Sequence, residues 1–371
     1  MIQVATERDF TSAIRARPKG KPSAHIPSLD GIRALSFGLV FAGHAGLNWI
    51  VPTTFGVTVF FFLSGYLITT LLRDEFERTG TLSLKSFYLR RALRILPPFY
   101  LVFAFALVCW WAGLLARPGE LQSIPAVLLH YSNYYIVGHD HFGFLTGTGV
   151  YWSLAVEEHF YLLFPCLFLL LTRFFSNRSA QALCLLGACV TLLGWRYVLV
   201  LHHHASVLRT SVASDTRFDS LLFGCALALY ENPAVDSTVL SERTWKYVLF
   251  PLGLVGLLLS FAIRTDVFRE TFRYTVQGLS LVPIFVCAVR YPDWIPIRPL
   301  NVRPLVFAGT LSYSLYLIHL IVLGGLNENP VYALTPAISG GVALVTTFLL
   351  AFVMYRCVER PCAAFRRRLR V

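Results

Sequence analysis

The sequence predicts an all-α, polytopic membrane protein, folded as a bundle of about ten transmembrane helices. Hydrophobic residues make up 56% of its 371 residues and charged residues only 14%, whereas a soluble domain usually carries about 25% charged residues. Apolar runs that approach the length needed to cross the ~30 Å hydrocarbon core recur along the chain. They lie near 34–51, 55–72, 95–116, 152–171, 182–201, 217–230, 247–263, 275–290, 305–323 and 337–357.

The basic residues predict the orientation of this bundle. An even number of spans puts both termini on the same side of the membrane. If that side is the cytoplasm, 25 of the 32 lysines and arginines lie in cytoplasmic tails and loops. The positive-inside rule therefore favours a topology with both termini in the cytoplasm. The net charge of +12 then follows from topology and from contact with anionic membrane lipid, and nucleic acid is not an expected partner.

The chain divides into three predicted parts. Residues 1–27 hold basic residues among Ser, Pro and Ala without an apolar run, so we expect a disordered cytoplasmic tail, with no cleavable signal before the first span. Residues 28–361 form the membrane domain, and 362–371 form a second basic cytoplasmic tail. The eight cysteines are expected as small buried apolar residues, and no spacing indicates a metal site. His139 and His141 are expected in a solvated outer loop.

Arg33 and His44 are the first candidate site residues, in the first span. Eleven helical positions make about three full turns, so both side chains lie on one face, roughly 16 Å apart along the axis. Arg33 then stands at the cytoplasmic surface and His44 well inside the membrane. An ionisable group within a membrane is a functional hypothesis in itself, and His44 is the first such group in the chain.

Other spans place ionisable groups at the depth of His44. Glu157 and Glu158 lie six and seven residues into the fourth span, and His319 lies about four residues from the outer end of the ninth. A carboxylate bonded to one nitrogen of His44 would fix its tautomer and raise its basicity. Glu158, slightly favoured over Glu157, is therefore the predicted partner, with His319 as a further catalytic candidate.

Four residues at the outer end of the bundle are candidates for substrate binding. Arg217 and Asp219 lie at the outer end of the sixth span, and Tyr151 and Trp152 lie where the fourth span begins. Hydrogen bonds between helices offer a purely structural explanation for the polar groups of this outer half, and the sequence does not choose between the two.

A basic cluster precedes the third span on the cytoplasmic side. In a helix, Arg90, Arg91 and Arg94 form a patch at the membrane surface, at the level of Arg33 and Asp30. Arginine favours bidentate contact with phosphate, which indicates a site for a phosphorylated cytoplasmic cofactor. An amphipathic helix lying on anionic lipid remains the alternative.

Seven segments in order resemble the integral-membrane acyltransferases of acyltransferase family 3. They are the Arg-x10-His pair ending at His44 and the segments 29–33, 60–68, 87–97, 152–161, 311–319 and 358–361. At the position of His159 the family most often has Gln. Some members carry a fused SGNH esterase-like domain. This chain ends ten residues after Pro361, so we expect a stand-alone member.

The resemblance implies a bacterial inner-membrane enzyme that moves an acyl group, expected to be acetyl, from cytoplasmic acyl-CoA to a hydroxyl group. The acceptor would be a cell-envelope glycan or a lipid-linked saccharide. His44 would take the proton of the attacking hydroxyl while a nearby donor stabilises the oxyanion, and a covalent acyl-histidine is the variant route. Ser64 is expected, with Gly65, to allow close helix packing rather than to act as a nucleophile.

Two other functions are compatible with the sequence. A macrolide-type O-acyltransferase would use the same residues on a small molecule. A transporter or flippase would also have a basic cytoplasmic mouth and a polar interior, although the sequence shows no convincing internal repeat of the kind common in transporters. The sequence leaves the oligomeric state and the length of the acyl chain undetermined.

Overall fold

The computed structural model describes residues 25–115, 119–327 and 335–368, and this part of the chain is helix and loop throughout. The first six helices of eight or more residues are α1 Pro27–Ala42, α2 Thr53–Thr79, α3 Leu84–Trp111, α4 Ser132–His139, α5 Trp152–Phe174 and α6 Arg178–Leu201. They are followed by α7 Ser214–Tyr230, α8 Phe250–Ala262, α9 Arg273–Arg290, α10 Arg303–Thr310, α11 Ser312–Asn327, α12 Pro336–Met354 and α13 Arg360–Arg368.

Shorter helical segments join or extend these helices. They are Leu121–Ser123, Ile124–Leu128, Gly149–Tyr151, Val207–Val212, Glu242–Thr244, Asp266–Glu270 and Arg298–Asn301, with π-helical turns at Gly43–Leu47, Trp245–Leu249 and Tyr355–Glu359.

Each of the ten predicted spans overlaps one of these helices or two in succession, and the predicted all-helical membrane bundle is confirmed. Six described helices are long and apolar enough to cross a bilayer: Thr53–Thr79, Leu84–Trp111, Gly149–Phe174, Arg178–Leu201, Glu242–Ala262 and Pro336–Arg366. The α10–α11 pair, bent by 74°, raises this number to seven if it forms one span. The count of ten spans and the orientation of the bundle stay predictions.

Helix α7 is buried by the helices that pack around it. It packs against α2 and α6, and its side chains are buried throughout 221–229. At Gly65 of α2 an added Cβ would lie 2.0 Å from the carbonyl oxygen of Leu221 in α7. Glycine at this position therefore permits the close crossing of α2 and α7, as the sequence predicted.

The first helix ends where the candidate base is found. Proline at the start of α1 fits a helical first turn, where no amide donor is needed. The helix then loosens into the π-helical turn Gly43–Leu47, in which Gly46 has a φ of 103° that disfavours other residues. His44 therefore lies in an irregular turn at the end of α1 rather than within a straight helix.

The two predicted tails differ in what the structure describes. Residues 1–24 of the predicted N-terminal tail lie outside the described residues, and Pro27 already begins α1. At the other end, α12 continues through the turn Tyr355–Glu359 into α13. The segment predicted as a basic C-terminal tail is therefore helical as far as Arg368.

Candidate functional site

A cavity of about 110 Å³ lies among α1, α2, α3, α5 and α11. Three of the arginines singled out in the sequence line it: Arg33 from α1, and Arg91 and Arg94 from α3. Ser83 begins α3 as an N-cap that accepts a hydrogen bond from the amide of Ser86. The structure thus brings separate helices together around one cluster of positive charge.

The three arginines differ in how their charges are neutralised. Arg33 donates to Asp30 at 2.5 Å, and the same carboxylate also contacts the His25 ring at 2.5 Å. Arg91 lies over the Tyr161 ring, with 5.4 Å from its guanidinium carbon to the ring centroid. Within the described residues, neither Arg91 nor Arg94 has a hydrogen bond or salt bridge to another protein group. Their guanidinium donors are therefore available to an anionic ligand in the cavity.

Arg90, the fourth predicted cofactor-binding arginine, has a different environment. Its guanidinium donates to the Glu75 carboxylate of α2 at 2.7 Å, and it does not line the cavity. The sequence could not predict this difference, because Glu75 reaches Arg90 from another helix.

Glu157 also lines the cavity and takes part in a short chain of hydrogen bonds. Tyr161 donates to the Ser64 hydroxyl at 3.1 Å, and Ser64 donates to Glu157 at 2.7 Å. Tyr161 also lies 3.4 Å from the other oxygen of Glu157. Ser64 thus has a polar contact in the site that sequence reasoning missed, because the packing role expected for it is fulfilled by Gly65.

His44 and His319 form a second polar centre next to the cavity. Nδ1 of His44 lies 3.1 Å from Nε2 of His319, and the two rings are stacked with centroids 5.3 Å apart. Nδ1 of His319 lies 2.7 Å from the carbonyl oxygen of Tyr316. Tyr316 also lines the cavity, so the histidine pair adjoins it. His319 is fully buried, whereas His44 is exposed.

The structure corrects the predicted contact between His44 and a glutamate. His319 bonds to His44, while Glu157 bonds to Ser64. Glu158 follows Glu157 on α5, near enough to Arg91 for their charges to interact. Counting positions along each span predicted that the histidines and glutamates lie at the same depth in the membrane. Depth alone does not determine which of these side chains faces His44.

Arg217 and Asp219, predicted to bind substrate, are sealed inside the protein. Asp219 pairs with Arg196 at 2.7 Å, and both side chains have no exposed surface. Arg196 also donates to the Thr216 carbonyl at 2.6 Å. Arg217 lies 3.9 Å from the centroid of the Tyr274 ring. These contacts indicate that the two residues join helices, because an acceptor could reach them only if the bundle opened.

Tyr151 and Trp152 are also buried at the start of α5. The Tyr151 hydroxyl donates to the Leu317 carbonyl at 3.3 Å, and the Trp152 ring centroid lies 5.9 Å from the Arg217 guanidinium carbon. Both residues therefore support the walls around the site in this structure. Substrate contact by any of the four outer candidates stays a prediction.

An outer loop contains a separate polar cluster around Glu120. Nε2 of His141 lies 2.6 Å from one carboxylate oxygen, and the Tyr135 hydroxyl donates to the other. Hydrogen bonds from Tyr135, His141 and Gln122 lower the pKa of Glu120 to about 2. The same contact with Glu120 raises the pKa of His141. Within the described residues, no group of three or more His, Cys, Asp or Glu side chains is arranged to hold a metal ion.

Comparison with known proteins identifies the family. The model of a family described as an acyltransferase domain matches residues 26–356. Peptidoglycan O-acetyltransferase OatA of Listeria monocytogenes is 29% identical over 353 residues, covering 91% of this chain and 56% of its own length. O-acetyltransferase OatA of Staphylococcus aureus (strain NCTC 8325) is 29% identical over 355 residues, covering 91% of this chain and 57% of its own length.

A further relative, from Staphylococcus aureus (strain COL), is 30% identical over 357 residues, 92% of this chain and 58% of its own length. The chain thus spans somewhat more than half the length of these curated relatives. No solved structure matches the chain. The family match extends from the start of α1 to the turn after α12, and so includes the arginine-lined cavity and the histidine pair. This multi-pass membrane protein therefore belongs to acyltransferase family 3 and carries its acyltransferase domain.

Proposed function

We propose that this protein is a bacterial inner-membrane O-acetyltransferase. It takes an acetyl group from cytoplasmic acetyl-CoA and transfers it to a hydroxyl of a cell-envelope glycan or a lipid-linked saccharide. One observation carries the proposal. Arg91 and Arg94, whose guanidinium groups have no hydrogen bond or salt bridge to the described residues, line a cavity that adjoins the His44–His319 pair at Tyr316. Binding of an anionic donor and proton transfer are the two tasks that such a reaction requires.

The arginines support the choice of donor. Coenzyme A carries phosphate groups, and guanidinium groups bind phosphate oxygens through paired, charge-assisted hydrogen bonds. Arg91 and Arg94 keep these donors free, and Arg33 adds a third guanidinium. The positive-inside orientation predicted from the sequence places this cluster on the cytoplasmic side, where acetyl-CoA is made.

The histidine pair supports the chemistry. His44 takes the proton from the acceptor hydroxyl as its oxygen attacks the thioester carbonyl, so that the C–O bond forms and the C–S bond breaks. The proton then passes to the departing sulfur, which leaves as coenzyme A. Because His44 is exposed and lies at the outer end of α1 in the predicted orientation, an acceptor outside the cytoplasm can approach it.

The relatives support the acceptor class. The Listeria relative is named as a peptidoglycan O-acetyltransferase, which favours a glycan over a small molecule such as a macrolide. A glycan acceptor also agrees with a base at the outer side of the membrane, because envelope polymers are assembled there. The acetyl group would therefore cross the membrane through the bundle while coenzyme A stays in the cytoplasm.

The test uses purified protein in lipid nanodiscs with acetyl-CoA labelled in the acetyl group and soluble peptidoglycan fragments. We expect labelled ester that alkali removes, together with release of coenzyme A. The His44→Ala variant should lower kcat by ~10²–10⁴-fold while acetyl-CoA still binds. His141→Ala, a histidine of the outer loop, is the matched control and should retain activity.

Two results would overturn the proposal. Activity of His44→Ala within a factor of about three of the unchanged protein would remove His44 from the chemistry. Counterflow of a substrate across a vesicle membrane without any acetyl turnover would identify a transporter instead.

A further inference from the structure

We propose that His319 is a positioning residue that fixes the tautomer of His44 and thereby makes Nε2 of His44 the reacting nitrogen. This inference rests on the proposed function, since it specifies how the base of that reaction is prepared. It is carried by a chain of three groups: the Tyr316 carbonyl, the His319 ring and the His44 ring.

The direction of each hydrogen bond follows from the carbonyl at the buried end. A carbonyl oxygen can only accept, so Nδ1 of His319, 2.7 Å away, must carry the proton. In a neutral imidazole the other nitrogen is then an acceptor. Nε2 of His319 therefore accepts from Nδ1 of His44 across 3.1 Å. Nδ1 of His44 is thus protonated, and its Nε2 has a free lone pair.

The opposite arrangement is disfavoured by burial. With Nδ1 of His319 unprotonated, its lone pair would face the lone pairs of the Tyr316 carbonyl inside the protein, and leaving such a group unsatisfied costs about 1–3 kcal/mol. His319 has no exposed surface, and its ring lies against the ring of Phe37 at 5.7 Å between centroids. Water does not reach it to replace the bond, so one tautomer is strongly preferred.

The choice of a second histidine as partner has a chemical consequence. A carboxylate in this place would favour the charged form of the His44 imidazole. A neutral imidazole orients His44 equally well, through an acceptor of fixed position, yet leaves it neutral and ready to take a proton. When His44 does take the acceptor's proton, Nε2 of His319 remains bonded to the new cation through Nδ1–H.

The decisive comparison is between two substitutions at His319. The amide oxygen of His319→Gln reaches about as far as Nε2 and can accept from His44, whereas His319→Leu fills similar space without an acceptor. We expect His319→Leu to lower kcat by ~10²-fold and His319→Gln by less than ~10-fold. The KM for acetyl-CoA should stay within about two-fold in both, because the arginine cluster is untouched.

A spectroscopic measurement tests the tautomer without activity. In the unchanged protein labelled with ¹⁵N-histidine, we expect the His44 signals of a protonated Nδ1 and an unprotonated Nε2. In His319→Leu the two tautomers should mix. His44→Ala combined with His319→Leu should be scarcely slower than His44→Ala alone, because residues that act as a unit are not additive.

The results separate the two proposals. If the unchanged protein transfers no acetyl group, the proposed function fails, and the ¹⁵N spectrum still decides whether His319 fixes the tautomer. Equal losses in His319→Leu and His319→Gln with the tautomer of His44 unchanged would overturn the positioning role. A protonated Nε2 of His44 in the unchanged protein would overturn it as well.

Discussion

Arg94 and Arg196 are both arginines within helices of an apolar bundle, but the structure gives them opposite surroundings. Arg196 has no exposed surface and is paired with Asp219, and it also donates to the Thr271 carbonyl at 3.0 Å. Arg94 is exposed in a cavity wall and, within the described residues, has no hydrogen bond or salt bridge to the protein. The first is part of the architecture, and the second is available for a ligand.

This comparison refines the rule that charge within a membrane indicates function. A buried charge must be neutralised by the protein or by something that the protein binds. Where the protein supplies every partner, as around Arg196, the charge holds helices together. Where the described part of the protein supplies neither a hydrogen bond nor a salt bridge, as at Arg91 and Arg94, the free guanidinium donors favour an anionic ligand.

Breaking the sealed pair should destabilise the whole bundle. Asp219→Ala leaves the Arg196 charge buried without its carboxylate, at a cost of about 3–5 kcal/mol in the free energy of unfolding. Unfolding can be followed through the reactivity of buried thiols such as Cys189 and Cys225. The double variant Arg196→Met with Asp219→Leu removes both charges and should regain most of the stability. If Asp219→Ala unfolds like the unchanged protein, the pair is not structural.

Removing the open charges should affect binding rather than folding. Arg91→Ala and Arg94→Ala should each raise the KM for acetyl-CoA by ~10–100-fold, because a hydrogen bond to a charged group contributes about 1.5–3 kcal/mol. Thermal unfolding should change little, since neither guanidinium has a hydrogen bond or salt bridge to the described part of the protein. Lysine should restore binding poorly where the contact with phosphate is bidentate. An unchanged KM in both variants would indicate that these cations face lipid headgroups instead.

Arg90 provides the matched control on the same turn of α3. Its charge is already neutralised by a salt bridge to Glu75, and the side chains of Arg90 and Glu75 are only 24% and 19% exposed. Arg90→Ala should therefore leave the KM for acetyl-CoA unchanged and lower the free energy of unfolding by about 1 kcal/mol or less. A rise in KM as large as that of Arg94→Ala would show that the Glu75 pair opens to bind the donor. The sequence prediction that grouped all three arginines would then hold.

The limits of sequence reasoning follow from the same residues. Hydrophobic runs predicted where the helices lie, because the apolar side chains that place a helix in the membrane are contiguous in the sequence. Spacing along the first span predicted Arg33 and His44 on one face of a single helix, whereas the structure has Arg33 within α1 and His44 in the π-helical turn after it. The partners of these groups were harder to predict, because His319 and Glu75 lie far away in the chain and approach from other helices. Counting positions along a span gives depth, but the side chain that faces His44 depends on how whole helices pack.

The smallest expected effect concerns the exposed counterpart of the sealed pair, Glu120 with His141 in the outer loop. Hydrogen bonds from Tyr135 and His141 lower the pKa of Glu120 from 4.5 to about 2, so this contribution is present above pH 4.5 and is lost as the pH falls toward 2. Contact with Glu120, aided by Asp140, raises the pKa of His141 above 6.5. The contribution of His141 is therefore complete below pH 6.5 and is lost as the pH rises through the raised value. The loop should be most ordered between pH 4.5 and 6.5.

The amide of Glu120, bonded to the Gly143 carbonyl at 3.0 Å, reports this order through hydrogen exchange. The measured quantity is the ratio of the protection factor of this amide in the unchanged protein to that in a His141→Ala variant at the same pH. This ratio should be greatest between pH 4.5 and 6.5, because both charges are needed for the attraction. At higher pH it should fall toward a value of one. A ratio that stays constant from pH 5 to pH 8 would mean that the ion pair does not order the loop and that Tyr135 alone holds Glu120 in place.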